Sequence, residues 1–374
     1  MKSSLFRSEL PTVKTLVVKT GSRILSPPGN ELRVAALVNS LSTLHRNGIR
    51  VILVSSGAIA HGMKALKLQK RPETIPMQQA CASIGQISLM DMYQELFSKK
   101  KILIGQVLLT WDDLRNKKRY LNLRNTLFKL LDCGVIPIVN ENDSVGVEEI
   151  QFGNNDVLGA QISLLSHADL FVNLTDVGGL FDKNPRVQKD AKHIPIVSKP
   201  SPSLHKLVSD RREDLSVGGM STKLKAAEMV TRAGIPALIG DGYSQNLLTV
   251  LKDQNCATLF LPSEKKMSSK DRWLAFTGQS AGAIVVDEGA CAAITNKGKS
   301  LLAAGIKDVS GSFRAGDTVD IKCEKRGVIA KGLANFPSQE VLLIRGCKTG
   351  EIREKLGKVQ FDEVIHRDNL VLMD

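Results

Sequence analysis

The sequence predicts a two-domain α/β protein: a parallel-sheet αβα sandwich followed by a small β-barrel-like domain. Short apolar runs alternate with longer segments of helical periodicity through the first 260 residues, which is typical of a parallel sheet with helices on both faces. Beyond residue 272 the pattern changes to short β-like runs separated by Gly and Asp, as in a small barrel. Residues 263–272 are polar and aperiodic and predict a linker. We therefore expect domains at 1–262 and 273–374.

Apolar runs bounded by turn residues predict the strands. In the first domain they are TLVVK (15–19), VILVSSGA (51–58), ILIGQVLL (102–109), VIPIVN (135–140), DLFVNLTD (169–176) and IPALIG (235–240). In the second they are GAIVVD (282–287), DTVDIKC (317–323), GVIAKG (327–332) and VLLIRG (341–346). Helical periodicity predicts helices from about Asn30 to a stop at Gly48, at 76–97, from about Asp113 to Leu131, after Asn155, and from Ser221.

Composition limits the function classes. The chain has 374 residues, 43% of them hydrophobic and 24% charged, as in a globular protein. No run approaches the roughly 18 apolar residues of a membrane span, and the N-terminus lacks the apolar core of a signal peptide, so we expect a cytoplasmic protein. Six separated cysteines without a CxxC pair predict reduced core thiols and no zinc site.

The net charge of +13 lies almost entirely in residues 1–274. The last 100 residues hold 14 Lys and Arg against 13 Asp and Glu. An excess in the larger domain suits a polyanionic nucleotide, although solvated surface lysines would also produce it. Aromatic residues are only 4% of the chain, which disfavours a base-stacking platform for nucleic acid.

The segment from Gly134 to Leu165 places carboxylates and amides between a buried strand and a helix start. Asp143, Asn155 and Asp156 can therefore meet at the carboxyl end of the sheet, where ligands bind in open α/β folds. An alternative is that these residues only cap the helix and form turns, since Asn and Asp favour both positions.

Four further motifs can hold phosphate or other anions. In VVKTGS, Lys19 ends a strand beside Gly21, and in VSSGAIAHG a strand passes into a helix through Ser56 and Gly57. NLTDVGGLF ends a strand at Thr175 and Asp176. Each of these could also be an ordinary turn or cap. VGGMSTK is the strongest motif, because a lysine in a first helical turn opposes the helix dipole unless an anion lies nearby.

Other nucleotide and metal signatures are absent from the sequence. Gly298-Lys299-Ser300 resembles the end of a P-loop, but Ala293 stands where the first glycine would be, and the segment lies in the β-rich tail. No GxGxxG follows a strand, and the histidines show no metal-ligand spacing. We predict no protein metal site and expect His61 to be a surface or helix residue.

Five motifs in sequence order resemble those of the glutamate 5-kinases, a family with the amino-acid kinase fold. They are LVVKTGS, VILVSSGAIAHG, VNENDSV with FGNND, LTDVGGLF and GGMSTK, and they cover residues 13 to about 262. The tail is similar to the PUA domain of many bacterial members, through VDEGACAAI, SLLAAGIKDVSGSFRAGDTV and VIAKG. The resemblance implies ATP-dependent phosphorylation of the side-chain carboxylate of L-glutamate to L-glutamyl 5-phosphate, the first step of proline biosynthesis.

The resemblance also implies roles for individual residues. Lys19 and Lys223 would contact the ATP phosphates, and Asp156 would orient them; these three are the predicted catalytic residues. The predicted nucleotide-binding residues are Lys19, Gly21, Thr175, Asp176, Val217, Gly218, Gly219, Met220, Ser221, Thr222 and Lys223. The predicted glutamate-binding residues are Ser56, Gly57, Asp143 and Asn155.

The implied cofactors are ATP and Mg²⁺, which should arrive with ATP and bridge its phosphates mostly through water. The implied partners are L-proline as a feedback inhibitor, further copies of the chain in a homo-oligomer, and glutamyl phosphate reductase. The chain departs from the family pattern at Asn154, Arg23 and Val217, where Asp, a small residue and Thr are usual. Alternatives are a related kinase of the same fold, for aspartate or uridylate, and an RNA-binding factor acting through the tail.

Overall fold

The computed structural model describes most of the chain as two compact units. It describes residues 7–10, 12–26, 29–146, 155–185, 187–198, 204, 219–264, 267–276, 278, 280–357 and 361–373. One unit lies within Met1–Leu114 and Lys118–Met267, and the other within Arg115–Lys117 and Ser268–Asp374. Each unit has its own cluster of buried apolar side chains.

The first unit is built on a sheet of eight described strands in the order β3-β4-β2-β1-β5-β9-β10-β8. The strands of this unit are β1 Thr15–Thr20, β2 Arg50–Val54, β3 Ile104–Leu109, β4 Ile136–Glu141, β5 Leu170–Thr175, β6 Leu180–Phe181, β7 His193–Ile194, β8 Ile196–Val197, β9 Ala237–Asp241 and β10 Ala257–Phe260. Strands β6 and β7 form a separate antiparallel pair. Neighbours from β3 to β9 pair in parallel, which confirms the predicted sheet.

Helices cover both faces of this sheet, as predicted. They are α1 Ser22–Leu25, α2 Glu31–Arg46, α3 Ala58–Ala65, α4 Ile75–Ser98, α5 Trp111–Arg115, α6 Lys117–Asp132, α7 Asn155–Leu165, α8 Met220–Arg232 and α9 Leu247–Lys252. Apolar side chains of helices α2, α4 and α9 belong to the same buried cluster as Leu16 and Val18 of β1. Side chains alternate along a strand, so Lys19 points to the other face, where α7 packs on β1 and α8 packs on α7.

Several elements of the first unit differ from the prediction, which did not include the short strands β6, β7 and β8 or helix α9. The four-residue strand β10 was not predicted, and it pairs antiparallel with β9. The single helix predicted from Asp113 to Leu131 is divided into α5 and α6. In contrast, the apolar side chains at helical spacing in α2 are buried, as the predicted helix requires, and Gly48 follows its end with a positive φ of 77°. None of the described helices combines the length and apolar character needed to cross a bilayer.

The second unit contains a sheet of five described strands in the order β12-β11-β13-β14-β15. The strands are β11 Gly282–Val286, β12 Ile306–Gly311, β13 Thr318–Cys323, β14 Gly327–Leu333 and β15 Leu370–Leu372, and the helices are α10 Ser269–Phe276, α11 Glu288–Lys297, α12 Ser338–Ile344 and α13 Thr349–Leu356. Strands β11 and β13 pair in parallel, and the other neighbours pair antiparallel.

The run VLLIRG, predicted as a strand, begins inside helix α12, so that prediction was wrong. Val341 and Ile344 are fully buried, whereas Leu342 and Leu343 are 41% and 61% exposed. Burial at a spacing of three residues belongs to a helix, because a strand would bury alternate residues. Pro337 directly precedes the helix as its N-cap residue, a position at which the missing N–H costs nothing.

Helix α10 begins at Ser269, inside the segment predicted as a linker. The Ser268 hydroxyl accepts a hydrogen bond from the backbone N–H of Asp271 at 3.1 Å and donates one to the Asp271 carboxylate at 2.8 Å. This reciprocal capping starts a helix in a polar sequence that offers little apolar periodicity.

Candidate active site

The carboxyl ends of four neighbouring strands carry the residues predicted to do chemistry. These strands lie in the order β4, β2, β1 and β5. Asp143 follows β4, Ser56 follows β2, Lys19 is the penultimate residue of β1, and Asp176 follows β5. Because parallel strands end at one edge of the sheet, the predicted substrate residues lie on one side of Lys19 and the predicted nucleotide residues on the other.

A buried carboxylate joins the two predicted catalytic lysines. Lys19 Nζ donates to Asp156 Oδ1 at 2.6 Å, and Lys223 Nζ donates to Asp156 Oδ2 at 3.1 Å. Two more groups donate to the same carboxylate, the Thr222 hydroxyl at 2.6 Å and the Asn173 side-chain amide at 3.0 Å. Asp156 is the second residue of α7, so this helix start brings β1, β5 and α8 together.

The site is an electrostatically tight cluster. Asp156 is fully buried, and Lys19 and Lys223 are 5% and 8% exposed. Burial alone would raise the pKa of Asp156, but the two lysine charges and the hydrogen bonds from Lys19 and Thr222 hold that pKa well below its usual value. Burial lowers the pKa of Lys223, against the opposing effect of Asp156, and the charge of Lys19 lowers it further. With both lysines protonated the cluster carries one net positive charge, which favours an anionic ligand.

Glycines allow this close approach. A Cβ on Gly159 of α7 would lie 2.9 Å from Phe171 Cε2 and 3.1 Å from Lys19 Cβ, so a larger residue would push α7 away from the sheet. Gly21 follows the strand that carries Lys19, and a Cβ there would lie 3.8 Å from Lys19 Nζ. The backbone after β1 therefore lies beside the lysine amine, which suits a phosphate held by both.

An amide network lies on the β4 and β2 side of the lysines. Asn155 Nδ2 lies 2.9 Å from Ser56 Oγ, 3.0 Å from the Ser55 carbonyl oxygen and 3.1 Å from Asn140 Oδ1. Asn140 Nδ2 in turn donates to Gln86 Oε1 at 3.0 Å. Asn140 and Gln86 are not among the site residues predicted from the sequence. Asn140 near the end of the buried strand VIPIVN was a usable signal, whereas Gln86 inside the long helix α4 gave none.

The backbone after β2 is shaped by three glycines. Gly57 adopts a left-handed conformation, with φ 98° and ψ 0°, and is the N-cap residue of α3. A Cβ on Gly62 would lie 1.8 Å from the Cys81 carbonyl oxygen, and one on Gly85 would lie 1.8 Å from the Ala58 carbonyl oxygen. Helices α3 and α4 therefore touch backbone to backbone, and this contact fixes the loop that carries the predicted carboxylate site.

Asp143 is suited to bind a cation. The residue is 6% exposed, and its Oδ1 atom is buried without a hydrogen-bond partner within the described part of the chain. Burial raises the pKa of Asp143 to about 7, against the opposing charge of Arg71. The next residue is tethered to α4, since the hydroxyl groups of Ser144 and Ser83 lie 2.8 Å apart. An amino group entering the site would supply the missing partner.

Helix α8 begins on the opposite side of the lysines. Its N-cap residue is Gly219, and no side chain caps it among the described residues. Neither Ser221 nor Thr222 caps this helix, because Ser221 is exposed and the Thr222 hydroxyl hydrogen-bonds to Asp156. Met220 and Ser221 precede Thr222 and Lys223 in the first turn, so backbone N–H groups and a lysine occur together.

An open pocket lies beyond β5. It has a volume of about 500 Å³ and is lined by Arg23, Ser26, Asp176 and Tyr243. The Arg23 guanidinium forms an ion pair with Asp176, and the Thr175 hydroxyl lies 3.2 Å from Asp176 Oδ1. These residues follow β1, β5 and β9, so the pocket continues the row of strand ends away from the amide network.

Other polar candidates have structural roles. His61 Nε2 lies 3.2 Å from the Leu25 carbonyl oxygen, and burial lowers the pKa of this histidine. Gly298 ends helix α11 in a left-handed conformation, which accounts for the P-loop-like tripeptide without a phosphate. Within the described residues, no group of three or more His, Cys, Asp or Glu side chains could hold a metal ion.

Comparison with known proteins identifies the family. Residues 14–241 match the amino acid kinase family, and residues 282–356 match the PUA domain. A curated glutamate 5-kinase from Carboxydothermus hydrogenoformans is 43% identical over 372 residues, which cover 98% of this chain and 100% of that protein. The chain belongs to the glutamate 5-kinase family. Glutamate 5-kinases from Moorella thermoacetica (43% identical, 98% of each chain) and Thermoanaerobacter pseudethanolicus (41% identical, 96% of this chain and 98% of that one) also match.

A solved structure, carbamate kinase from Giardia lamblia bound to AMP-PNP, is 15% identical with a TM-score of 0.46, covering 67% of this chain and 99% of that one.

The positions at which this glutamate 5-kinase family member departs from the usual pattern divide into two groups. Asn154 and Val217 lie outside the described residues, as does Gly218 of the predicted nucleotide site. Arg23 lines the open pocket.

Proposed function

We propose that this protein transfers the γ-phosphoryl group of ATP to the side-chain carboxylate of L-glutamate, giving L-glutamyl 5-phosphate. One observation carries the proposal: a buried carboxylate, Asp156, holds two buried lysines between an amide-lined site and a glycine-started helix. Transfer between two anionic reactants needs this arrangement, because both must approach the same positive charge.

The chemistry requires no general base. The side-chain carboxylate of glutamate, with an ordinary pKa of about 4.3, is ionised at neutral pH and is its own nucleophile. Lys19 and Lys223 would neutralise charge on the transferring phosphoryl group, and Asp156 would fix the direction of both amines. All three side chains are buried, so the electrostatic effect of each lysine is stronger than it would be in water.

The amide-lined side would bind glutamate. Asp143, whose Oδ1 atom lacks a hydrogen-bond partner within the described residues, would accept the substrate ammonium. Ser56 and Asn155, already joined by a hydrogen bond of 2.9 Å, would bind carboxylate oxygens together with the backbone after Gly57. Because the ammonium and a carboxylate would bind to different residues, the amino acid would have one orientation, with its side-chain carboxylate toward Lys19.

The residues on the other side fit ATP. The first turn of α8 from Gly219, the backbone at Gly21 and the lysines would hold its phosphates, and Thr175 and Asp176 would line the rest of the site. Magnesium fits as a companion of the nucleotide, because no protein cage is found among the described residues and Mg²⁺ commonly keeps water and phosphate ligands. Bound there, it would add charge neutralisation on the phosphates.

The product suggests how the enzyme works with others. An acyl phosphate is prone to hydrolysis, so a glutamyl phosphate reductase that consumes it directly would protect it, and L-proline is the expected end-product inhibitor. We expect the protein to act as a homo-oligomer in the cytoplasm. The alternatives are less favoured: a PUA tail with a net charge of +1 has little electrostatic attraction for RNA, and the match to glutamate 5-kinases extends over nearly the whole chain.

A hydroxylamine trap tests the substrate. We expect protein supplied with ATP and Mg²⁺ to form a hydroxamate with L-glutamate and little with L-aspartate. Aspartate is one methylene shorter, which costs about 10- to 200-fold by binding alone, and misplacement of the nucleophile adds to that loss. A reaction with ATP and uridylate serves as a second control, in which the release of ADP measures turnover. Equal hydroxamate from both amino acids, or turnover with uridylate alone, would contradict the proposed substrate.

A further inference from the structure

The open pocket contains one cation that has no assigned role, Arg23. It lies in α1, two residues after Gly21, whose backbone is close to Lys19 Nζ. The Arg23 side chain is 51% exposed, and it pairs with Asp176, whose side chain is 20% exposed. The Arg23 guanidinium therefore connects α1, which follows β1, with the residue after β5.

One of the residues that line the pocket is Tyr243, whose ring packs against an arginine. The Arg33 guanidinium carbon of α2 lies 3.7 Å from the centroid of the Tyr243 ring. Tyr243 is 42% exposed and lines the pocket together with Ser26. The pocket is thus an aromatic wall, a hydroxyl, a carboxylate and a guanidinium in an open volume of about 500 Å³, which is large enough for part of a nucleotide.

The ion pair between Arg23 and Asp176 is readily exchanged. An ion pair with one half-exposed partner contributes little to folding, because water solvates both charges almost as well when they separate. A guanidinium binds phosphate through two parallel hydrogen bonds, and a phosphate chain carries more charge than a single carboxylate. Arg23 would therefore gain by moving from Asp176 to a phosphate that enters beside Lys19.

We propose that Arg23 is a further nucleotide-binding residue of this enzyme, which pairs with Asp176 in the free protein and with the phosphate chain of bound ATP or ADP. This inference rests on the proposed function, since it assigns the pocket to the nucleotide of the same reaction. Arg23 thus supplies a third positive charge to the phosphates. It lies two residues after Gly21, whereas Lys19 lies two residues before it.

Calorimetric titration of the full-length protein with ADP and Mg²⁺, without glutamate, tests the exchange. We expect Arg23→Ser to weaken ADP binding about tenfold, the effect of losing one partly exposed charge-assisted contact, and Arg23→Lys to retain part of the affinity. The control is Arg50→Ser. Arg50 is 45% exposed and is paired with Asp132 at 3.9 Å, but it starts β2 at the opposite edge of the sheet.

The control separates a local contact from the loss of overall charge. Weaker ADP binding in Arg23→Ser, with Arg50→Ser equal to the wild type, supports the exchange. The inference is overturned if Arg23→Ser binds ADP as tightly as the wild type, or more tightly, or if both variants lose affinity equally. Failure of the wild-type protein to bind ADP at all would overturn the proposed function as well, whereas normal ADP binding by Arg23→Ser leaves that function intact.

Discussion

Asp156 is the residue on which the geometry of the site depends most, because side chains from two strands and from the first turn of α8 converge on its two oxygens. Its sequence context, FGNND before a helix, was sufficient to place it at the end of the sheet. The lysine partners were predictable for the same reason: a strand end and a helix start were visible in the sequence. The partners Asn173 and Thr222 depend on strand order and helix packing, which sequence spacing does not specify.

Removing either lysine charge should slow the chemical step. We expect Lys19→Met or Lys223→Met to lower kcat by roughly 10²–10³, the usual effect of losing one preorganised electrostatic contact. The KM for glutamate should change less, because the amide side is untouched. Lys225→Met, two residues further along α8 and exposed, is the control and should retain its activity. Steady-state rates decide; a near-normal kcat for Lys223→Met would exclude the phosphate site at the start of α8.

The raised pKa of Asp143, about 7, predicts that glutamate binding depends on pH. Below pH 7 the carboxyl is protonated and cannot pair with the substrate ammonium, so the apparent KM for glutamate should rise as the pH falls through that value. Asp143→Asn should show a high KM without this step. Steady-state kinetics above and below pH 7 measure this change in the apparent KM. If the KM of the variant changed equally with pH, the titrating group would be another residue.

The same pKa has a consequence for folding. A carboxyl whose pKa is raised in the folded protein stabilises it fully below the unfolded pKa of about 3.9, and this contribution is lost as the pH rises through about 7. The variant Asp143→Asn should therefore have a higher melting temperature than the wild type at about pH 8 and nearly the same one at about pH 4. Thermal unfolding without glutamate tests this; a variant that is less stable at the higher pH would show that the charged carboxylate is well solvated.

Among the elements, the contact between α3 and α4 positions the substrate loop. The sequence indicated both helices but not their backbone contact, because Gly62 and Gly85 are 23 positions apart and only the fold brings them together. Strand β10 was missed since four residues carry too little periodicity. Helix α12 was misassigned because its apolar run is short, and the pattern of burial that distinguishes helix from strand is visible only in the structure.

Adding one methyl group at this contact should separate the helices. In Gly85→Ala the new Cβ would lie 1.8 Å from the Ala58 carbonyl oxygen, so we expect a loss of at least about 2 kcal/mol in the free energy of unfolding and a raised KM for glutamate. Binding of ADP should change less. The control Gly350→Ala has open space in helix α13 and should be neutral or slightly stabilising. Equal stability of the two variants would mean that α3 and α4 can move apart without cost.

For the whole molecule, the change of sequence pattern after residue 262 predicted the existence of a second unit, and the boundary of the compact units lies close to that change. The prediction was possible because parallel α/β units and β-rich units have different hydrophobic periods. What the PUA unit does could not be predicted, because its sequence contains no residue that can be placed in the reaction.

The first unit should work alone. All described residues of the lysine cluster and of both flanking sites lie before residue 262, and the unit has its own core. A chain ending near Lys265 should therefore fold and form hydroxamate from glutamate, while its oligomeric state or response to proline can change. Circular dichroism and the hydroxylamine trap test it. A truncated protein that is folded and monodisperse but inactive would show that the PUA unit takes part in catalysis.

The central claim is that the side-chain carboxylate of glutamate itself attacks the γ-phosphorus of ATP, between Lys19 and Lys223. The most direct measurement uses glutamate labelled with ¹⁸O in that carboxylate alone. Hydroxylamine attacks the acyl carbon of the product and releases inorganic phosphate with the bridging oxygen, so mass spectrometry should find one ¹⁸O atom in each phosphate released with hydroxamate. Unlabelled phosphate would contradict the claim, since the phosphoryl group would then have passed to water or to another atom of the amino acid.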